Sequence, residues 1–257
     1  MSEEENNVYK LLRLAEYYKN PNLFTRIFNS KKELLDKTYD YYTQIINILY
    51  YKKKYKEIIN IYYEMIPIII EMNYGLDFLG EEYFKYANIK YKINKNDSLS
   101  TYLCAYDCFI KNNNLKDVKK VLVKIINICE EINDTKRLIN YLYMYIKQYN
   151  DIEYIVKLGN IYILNDEIIK ALDIYNIGFK IDNNKECFIK LVLCKLFLKE
   201  DNIVNLYPSI ELIDEILYIE NIIKFIQNKD IESIEKLLNN KDNIINILLN
   251  LIKTSIK

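Results

Sequence analysis

Cys104 and Cys108 come closest, by type and spacing, to a reactive pair: four apart on a helix, two thiolates share a face and could hold a soft metal. No third or fourth ligand stands near them, and Cys129, Cys187 and Cys194 are far along the chain. There is no histidine, which removes the usual general base, the usual triad partner and the commonest metal ligand. A Gly-rich phosphate loop is missing too, and no carboxylate pair lies on an apolar helix face where its pKa would be forced to shift. Five cysteines inside apolar helical runs read as reduced core residues of a cytosolic protein. These features predict a protein without catalysis, cofactor or metal.

A different chemistry, partition between water and lipid or protein, is offered by NLFTRIFNSKK, residues 22–32. Leu23, Phe24, Ile27 and Phe28 sit there among Asn, Thr, Arg, Ser and Lys. The segment follows Asn20-Pro21, where proline stops the preceding helix, and reads as a loop. Each large side chain removed from water gains ~1.5 to 3 kcal/mol, so four of them need a place to go. The longest apolar runs, such as Ile66 to Ile70 with Pro67 inside, fall far short of the ~20 residues of a spanning helix. The acidic start MSEEENN has no apolar segment behind it, which excludes a secretory signal. Thirty-six basic and 36 acidic residues cancel, so no global field draws the chain to nucleic acid. A soluble, cytoplasmic protein is expected.

The elements that must position these residues are helices. Of 257 residues 51% are hydrophobic, with only four Gly, three Pro and no Trp; so few breakers predict an all-α fold. Val8, Leu11, Leu12, Ala15 and Tyr18 mark a first helix over Glu3 to Lys19. Leu35, Tyr39, Tyr42, Ile46 and Leu49 advance by four, three, four and three. Ile58, Tyr62, Met65, Ile69 and Met72 repeat that rhythm after a junction at Lys52 to Lys54, which makes a hairpin. In IVKLGNIYILNDEIIKALDIYNIGFKID, residues 155–182, Leu158, Gly159 and Tyr162 followed by Ala171, Tyr175 and Gly178 have the small/large spacing of a tetratricopeptide unit. Polar marks such as Asn112-Asn113-Asn114, Asn133-Asp134, Asn165-Asp166 and Asp201-Asn202 recur at a helix plus a turn. Ser98, Asp134, Asp166 and Ser209 are N-cap candidates. KECFIKLVLCKLFLK, residues 185–199, is apolar on several faces and should be covered on both sides. Pro208 closes the next connection. Three further helices, over Ser209 to Gln227, Asp230 to Leu238 and Asp242 to Ile252, then form a cap. The predicted architecture is a tetratricopeptide-like right-handed superhelix of antiparallel hairpins over 1–205 with a C-terminal helical bundle over 206–257.

This layout resembles the soluble attachment proteins (SNAPs) that recruit the N-ethylmaleimide-sensitive fusion ATPase (NSF) to SNARE complexes. Leu23-Phe24 and Ile27-Phe28 fall where that family has Phe-Phe, two residues, Leu-Phe. NDEIIKALDIYNIG is similar to its paired-helix segment, KECFIKLVLCKLFL to its stretch ending in Cys194, and NKDIESIEKLLNN with INILLNLIKTSIK to its last two helices. The likeness runs from about residue 10 to the end.

The resemblance implies an adaptor, not an enzyme, that binds the SNARE four-helix bundle (syntaxin-type) and an NSF-type AAA ATPase for vesicle fusion and intracellular protein transport. It implies peripheral membrane contact through Leu23, Phe24, Ile27 and Phe28, and SNARE-facing lysines at Lys53, Lys92, Lys120 and Lys157. Asn114 and Glu153 stand where the family is usually basic. Glu186 and Ile256 fall at ATPase-facing positions, although the family's acidic tail has no counterpart after Thr254-Ser255-Ile256-Lys257. The residues alone also suit a tetratricopeptide-like scaffold that binds a different peptide or helical partner.

Overall fold

The computed structural model describes residues 3–200, 213–238 and 241–256; the side chains of residues 3–5, 24, 28 and 182 are outside the description. Every regular element among the described residues is an α-helix. The chain divides into two compact units, Met1–Thr135 and Lys136–Lys257. The expected division at 205/206, the mark at Asp201-Asn202, Pro208 and the Ser209 cap lie outside the described residues.

The first unit contains α1 (Glu3–Lys19), α2 (Leu23–Phe28), α3 (Lys31–Tyr51), α4 (Tyr55–Met72), α5 (Leu76–Ile93), α6 (Lys95–Lys111) and α7 (Leu115–Glu131). From α3 onward each helix packs on the next, and α1 packs on α3. The predicted rhythm of α4 holds in full: Ile58, Tyr62, Met65, Ile69 and Met72 are all buried. In α3 the buried stripe is Leu34, Thr38, Tyr42, Ile45 and Leu49, one position from the expected Leu35, Tyr39 and Ile46. Leu11, Ala15, Tyr42, Ile45, Ile58, Met65 and Tyr86 belong to one core, in which the Tyr62 and Tyr86 rings stack at 4.8 Å.

Six helix ends share one device, and it explains part of the polar punctuation. Lys53, Asn113, Asn133, Asp166, Lys199 and Lys229 all have φ between 55° and 60°. In each case the next backbone N–H donates to the carbonyl five residues earlier, as Asn114 does to Phe109 at 2.9 Å and Glu167 to Tyr162 at 2.8 Å. A single left-handed residue thus closes one helix and aims the chain into the next. Asn and Asp bear that conformation most easily, having short polar side chains.

Two of the predicted caps are displaced. Ser98 lies buried inside α6 with its hydroxyl donating to the Lys95 carbonyl, and Asn94 caps the helix instead. Asn94 follows α5 directly, so Lys95-Asn96-Asp97 forms the first turn of α6 rather than a break. Asp166 is the left-handed turn residue, and Glu167 takes the cap position. Asp134 stands directly before α8.

The second unit contains all but the first residue of α8 (Thr135–Gln148), and α9 (Ile152–Leu164), α10 (Ile168–Asp182), α11 (Lys185–Phe197), α12 (Ile213–Gln227), α13 (Ile231–Leu237) and α14 (Asn243–Ile256). The α9–α10 pair is the expected tetratricopeptide-type hairpin. A Cβ on Gly159 would stand 2.4 Å from the Tyr175 ring, and one on Gly178 would stand 2.5 Å from the Cys187 sulfur. Both glycines are therefore close-approach positions, one within the hairpin and one against α11. As predicted, α11 is covered from several sides: it packs on α10, α12 and α14, and every residue from Cys187 to Cys194 except Ile189 is buried. The three C-terminal helices fall where the sequence predicts them, as far as the described residues reach.

Candidate functional site

The segment read as a loop is a helix. Asn22 caps α2 by accepting from both the Thr25 backbone N–H and the Thr25 hydroxyl, each at 2.9 Å. Thr25 is itself buried, and its hydroxyl meets the Tyr17 hydroxyl of α1. At the other end the Asn29 N–H and side-chain amide both donate to the Thr25 carbonyl, while Lys37 of α3 donates to the Asn29 side chain at 2.9 Å. Ser30 and Glu33 then form a capping box that starts α3. Asn22, Thr25 and Asn29, individually typical of loops, thus spend their hydrogen bonds on pinning one short helix between α1 and α3, and Ser30 spends its own on starting α3.

That pinning decides where the apolar residues point. Leu23 and Ile27 lie one turn apart on a shared face, 77% and 68% exposed. Arg26, also exposed, lies three positions after Leu23 on the same side. The side chains of Phe24 and Phe28 lie outside the described residues. Beneath α2 runs a cleft lined by Lys19, Arg26, Asn29, Lys31 and Glu71, with Tyr18 along its wall. Lys19 pairs with Glu64 and Lys31 with Glu71 at 2.5 Å. The bond that Lys19 donates to Glu64 holds its ammonium above its ordinary pKa.

The four lysines singled out in the sequence have different settings. Lys53 is exposed on its left-handed turn, and Lys92 is exposed in the last turn of α5. A depression lined by Lys53, Lys54, Lys56, Glu57 and Ile93 brings that turn beside the end of α5, with Lys54 paired to Glu57 at 2.9 Å. Lys90 lies over the Tyr86 ring at 4.7 Å. Lys54, Lys56 and Lys90 extend the basic end of the first unit, and the run YYKKKYK, residues 50–56, was the signal for the first two. Lys120 lies over the Phe84 ring at 4.4 Å and within 4.0 Å of Asp117, so part of its charge is used internally. Lys157 belongs to the second unit, 5.6 Å over the Tyr154 ring.

Glu186 is drawn into a network that sequence reasoning missed. Lys190, with no exposed surface, donates to Glu186 at 2.6 Å and to Asn160 at 3.1 Å, and pairs with Asp242 at 2.8 Å. The Tyr175 hydroxyl donates to the same Asn160 oxygen at 2.8 Å. Ile256 is half-buried at the end of α14. Glu186 and Lys190 show an i, i+4 spacing, but nothing local marks Asp242 as their partner.

Among the described residues the titrations that shift do not converge on a reactive centre. Burial pushes the Cys187 thiol up to about 11 and the Cys194 thiol up to about 12, which makes both inert at neutral pH. Cys104 is exposed rather than in the core, yet partial burial and Asp107 still raise its pKa. The carboxylates that shift, Glu33, Glu131, Asp230 and Asp242, all shift downward through capping or pairing bonds. No group of three or more Cys, Asp or Glu that could hold a metal occurs among the described residues, and none of their helices is long and apolar enough to cross a membrane.

No protein-family model and no curated protein matches this chain. Forty-seven solved chains do match. BtubC (BKLC) from P. vanneervenii is 12% identical with a TM-score of 0.40, over 87% of this chain and 93% of that one. YrrB, described as a TPR protein with an unusual peptide-binding site, is 13% identical with a TM-score of 0.40, over 78% and 93%. Folds of this kind carry many unrelated functions.

Proposed function

We propose that this chain is a non-catalytic adaptor of the soluble attachment protein kind: a scaffold of helix hairpins that binds a SNARE four-helix bundle and an NSF-type AAA ATPase, and touches the membrane through α2. The observation that supports it most is the outward face of α2. Two large aliphatic side chains are held in water by a helix that Thr25 within it and Asn22 and Asn29 at its ends fix in place. Taking both from water contributes at most ~3 to 6 kcal/mol, the scale of reversible contact rather than permanent attachment. The absence of histidine, together with titration shifts that do not converge among the described residues, favours binding over catalysis. Lys53 and Lys92, with their neighbours at the basic end of the first unit, are the charges best placed for an acidic rod. In this reading the ATPase contact, which the resemblance puts at Glu186 and Ile256, belongs to the second unit.

The test is disassembly. The purified chain is mixed with an assembled SNARE bundle, its matched ATPase and ATP, and release of the SNARE subunits is followed. The adaptor reading expects disassembly that depends on the chain, and association with the bundle that weakens as salt rises. Lys53→Glu with Lys92→Glu should weaken that association at low salt and flatten its salt dependence. A second reading, a scaffold for another peptide or helix, is favoured by the internal engagement of Lys120 with Phe84 and of Lys157 with Tyr154. It expects binding of an isolated segment and indifference to the assembled bundle.

A further inference from the structure

Resting on the reading of α2 as a membrane contact, we infer that the cleft beneath α2 is a binding site for the phosphate headgroup of an anionic lipid, with Arg26 as its selective cation. Leu23, Arg26 and Ile27 follow the i, i+3, i+4 spacing of one helix face, so Arg26 stands at the edge of the two aliphatic side chains that would enter the lipid. An arginine in that position lays its stem along apolar surface and its head at phosphate depth. Its planar fork matches phosphate oxygens with two parallel bonds.

Arg26 also lines the cleft with Lys19 and Lys31, against one lining carboxylate, Glu71. Asn29 also lines it, but its side-chain oxygen already accepts from Lys37 and its amide is bonded to the Thr25 carbonyl. It therefore shapes the wall rather than binding the ligand. Lys19 and Lys31 are held by Glu64 and Glu71, carboxylates that are themselves about half exposed. Such surface pairs are worth little and exchange readily for a doubly charged phosphate. Arg26 has no ion-pair partner in the structure among the described residues, which makes it the cation available without rearrangement. Three cations around one cleft select a concentrated phosphomonoester charge over the same charge spread across a bilayer.

The experiment is vesicle sedimentation with the full chain. It uses neutral phosphatidylcholine vesicles and two charge-matched mixtures, one containing phosphatidate and the other phosphatidylserine. Binding should be strongest to phosphatidate, and Arg26→Gln should reduce that excess about fivefold, the effect of one cation near an anionic surface, a larger loss than on the phosphatidylserine mixture or the neutral vesicles. Leu23→Ser with Ile27→Ser should lower binding to all three. Because the three residues are exposed, none of the variants should alter the thermal melt by circular dichroism. Equal binding to both anionic mixtures, or a phosphatidate excess untouched by Arg26→Gln, would overturn the headgroup site and leave the membrane contact standing. No binding of the unaltered chain to any vesicle would remove the membrane reading itself, and this inference with it. A melting temperature raised by inorganic phosphate alone, equally in the Leu23/Ile27 variant, would mark a free-phosphate site and overturn the lipid assignment.

Discussion

Lys190 shows what a buried charge demands of its neighbours. Its ammonium is out of water, and Asn160, Glu186 and Asp242 supply its acceptors. The two sides of the Lys190–Asp242 pair are not equivalent, because Asp242 and Glu186 keep some contact with solvent. Lys190→Met removes the buried charge and leaves carboxylates that water can reach, at a cost of about 1 to 3 kcal/mol. Asp242→Asn keeps the ammonium buried with one carboxylate fewer, and the cost rises to about 3 to 5 kcal/mol. Urea unfolding should rank the variants in that order. Burial alone would raise the Asp242 pKa, but the bond and charge of Lys190, with the Ile244 and Ile245 amides, hold it below its ordinary value. A lowered carboxylate stabilises the fold above its unfolded pKa, and that contribution is lost as pH falls through the folded one. The unfolding free energy should therefore drop from about pH 5 downward, and the slope should shrink in Asp242→Asn. None of this was legible in the sequence: Glu186 and Lys190 form an ordinary surface-type spacing, and their third partner is brought up only by packing of α14.

At the scale of elements, legibility followed length. The six small and large positions of α9 and α10 identified their hairpin because two full helices repeat the spacing. Gly159→Ala should confirm the close approach: its methyl would meet the fully buried Tyr175 ring. The ring cannot swing away, so the loss should be about 1 to 3 kcal/mol. Combined with Tyr175→Leu, which shortens the opposing side chain, the loss should be smaller than the sum of the two single changes. Independent, additive costs would mean that the helices can separate to admit the methyl. The short helix α2 was hidden for the opposite reason. Six residues are too few for a period to show, and Asn22, Thr25, Asn29 and Ser30 are the residue types of loops and of helix caps alike. The hydrogen bonds to Tyr17 and Lys37 decide between those uses, and both come from other helices. Ser98 failed as a cap for a related reason, since Asn94 serves as the end of α5 and the start of α6 with no turn between them.

For the whole molecule the question is whether stability is one quantity or two. The core built on Ile58, Tyr62, Met65 and Tyr86 draws only on helices of the first unit. The Lys190 network draws only on α9, α10, α11 and the cap of α14, all in the second. In arrays of helix pairs each element is stabilised by its nearest neighbours, so a local loss stays local unless the interface that passes it on is stronger than the damage. Asp242→Asn supplies a defined local loss. Hydrogen exchange should then accelerate at the amides of α11 and α14 by the factor that its destabilisation predicts, a hundredfold or more for about 3 kcal/mol. The amides of α4 should keep their original rates. Equal acceleration in α4 and α11 would instead show one cooperative unit, in which case damage at the Lys190 network would reach the basic end of the first unit and weaken partner binding there as well. Separate responses would let the second unit loosen while the α2 face and the lysines beside Lys53 remain in place, as the adaptor proposed above would need for two independent contacts.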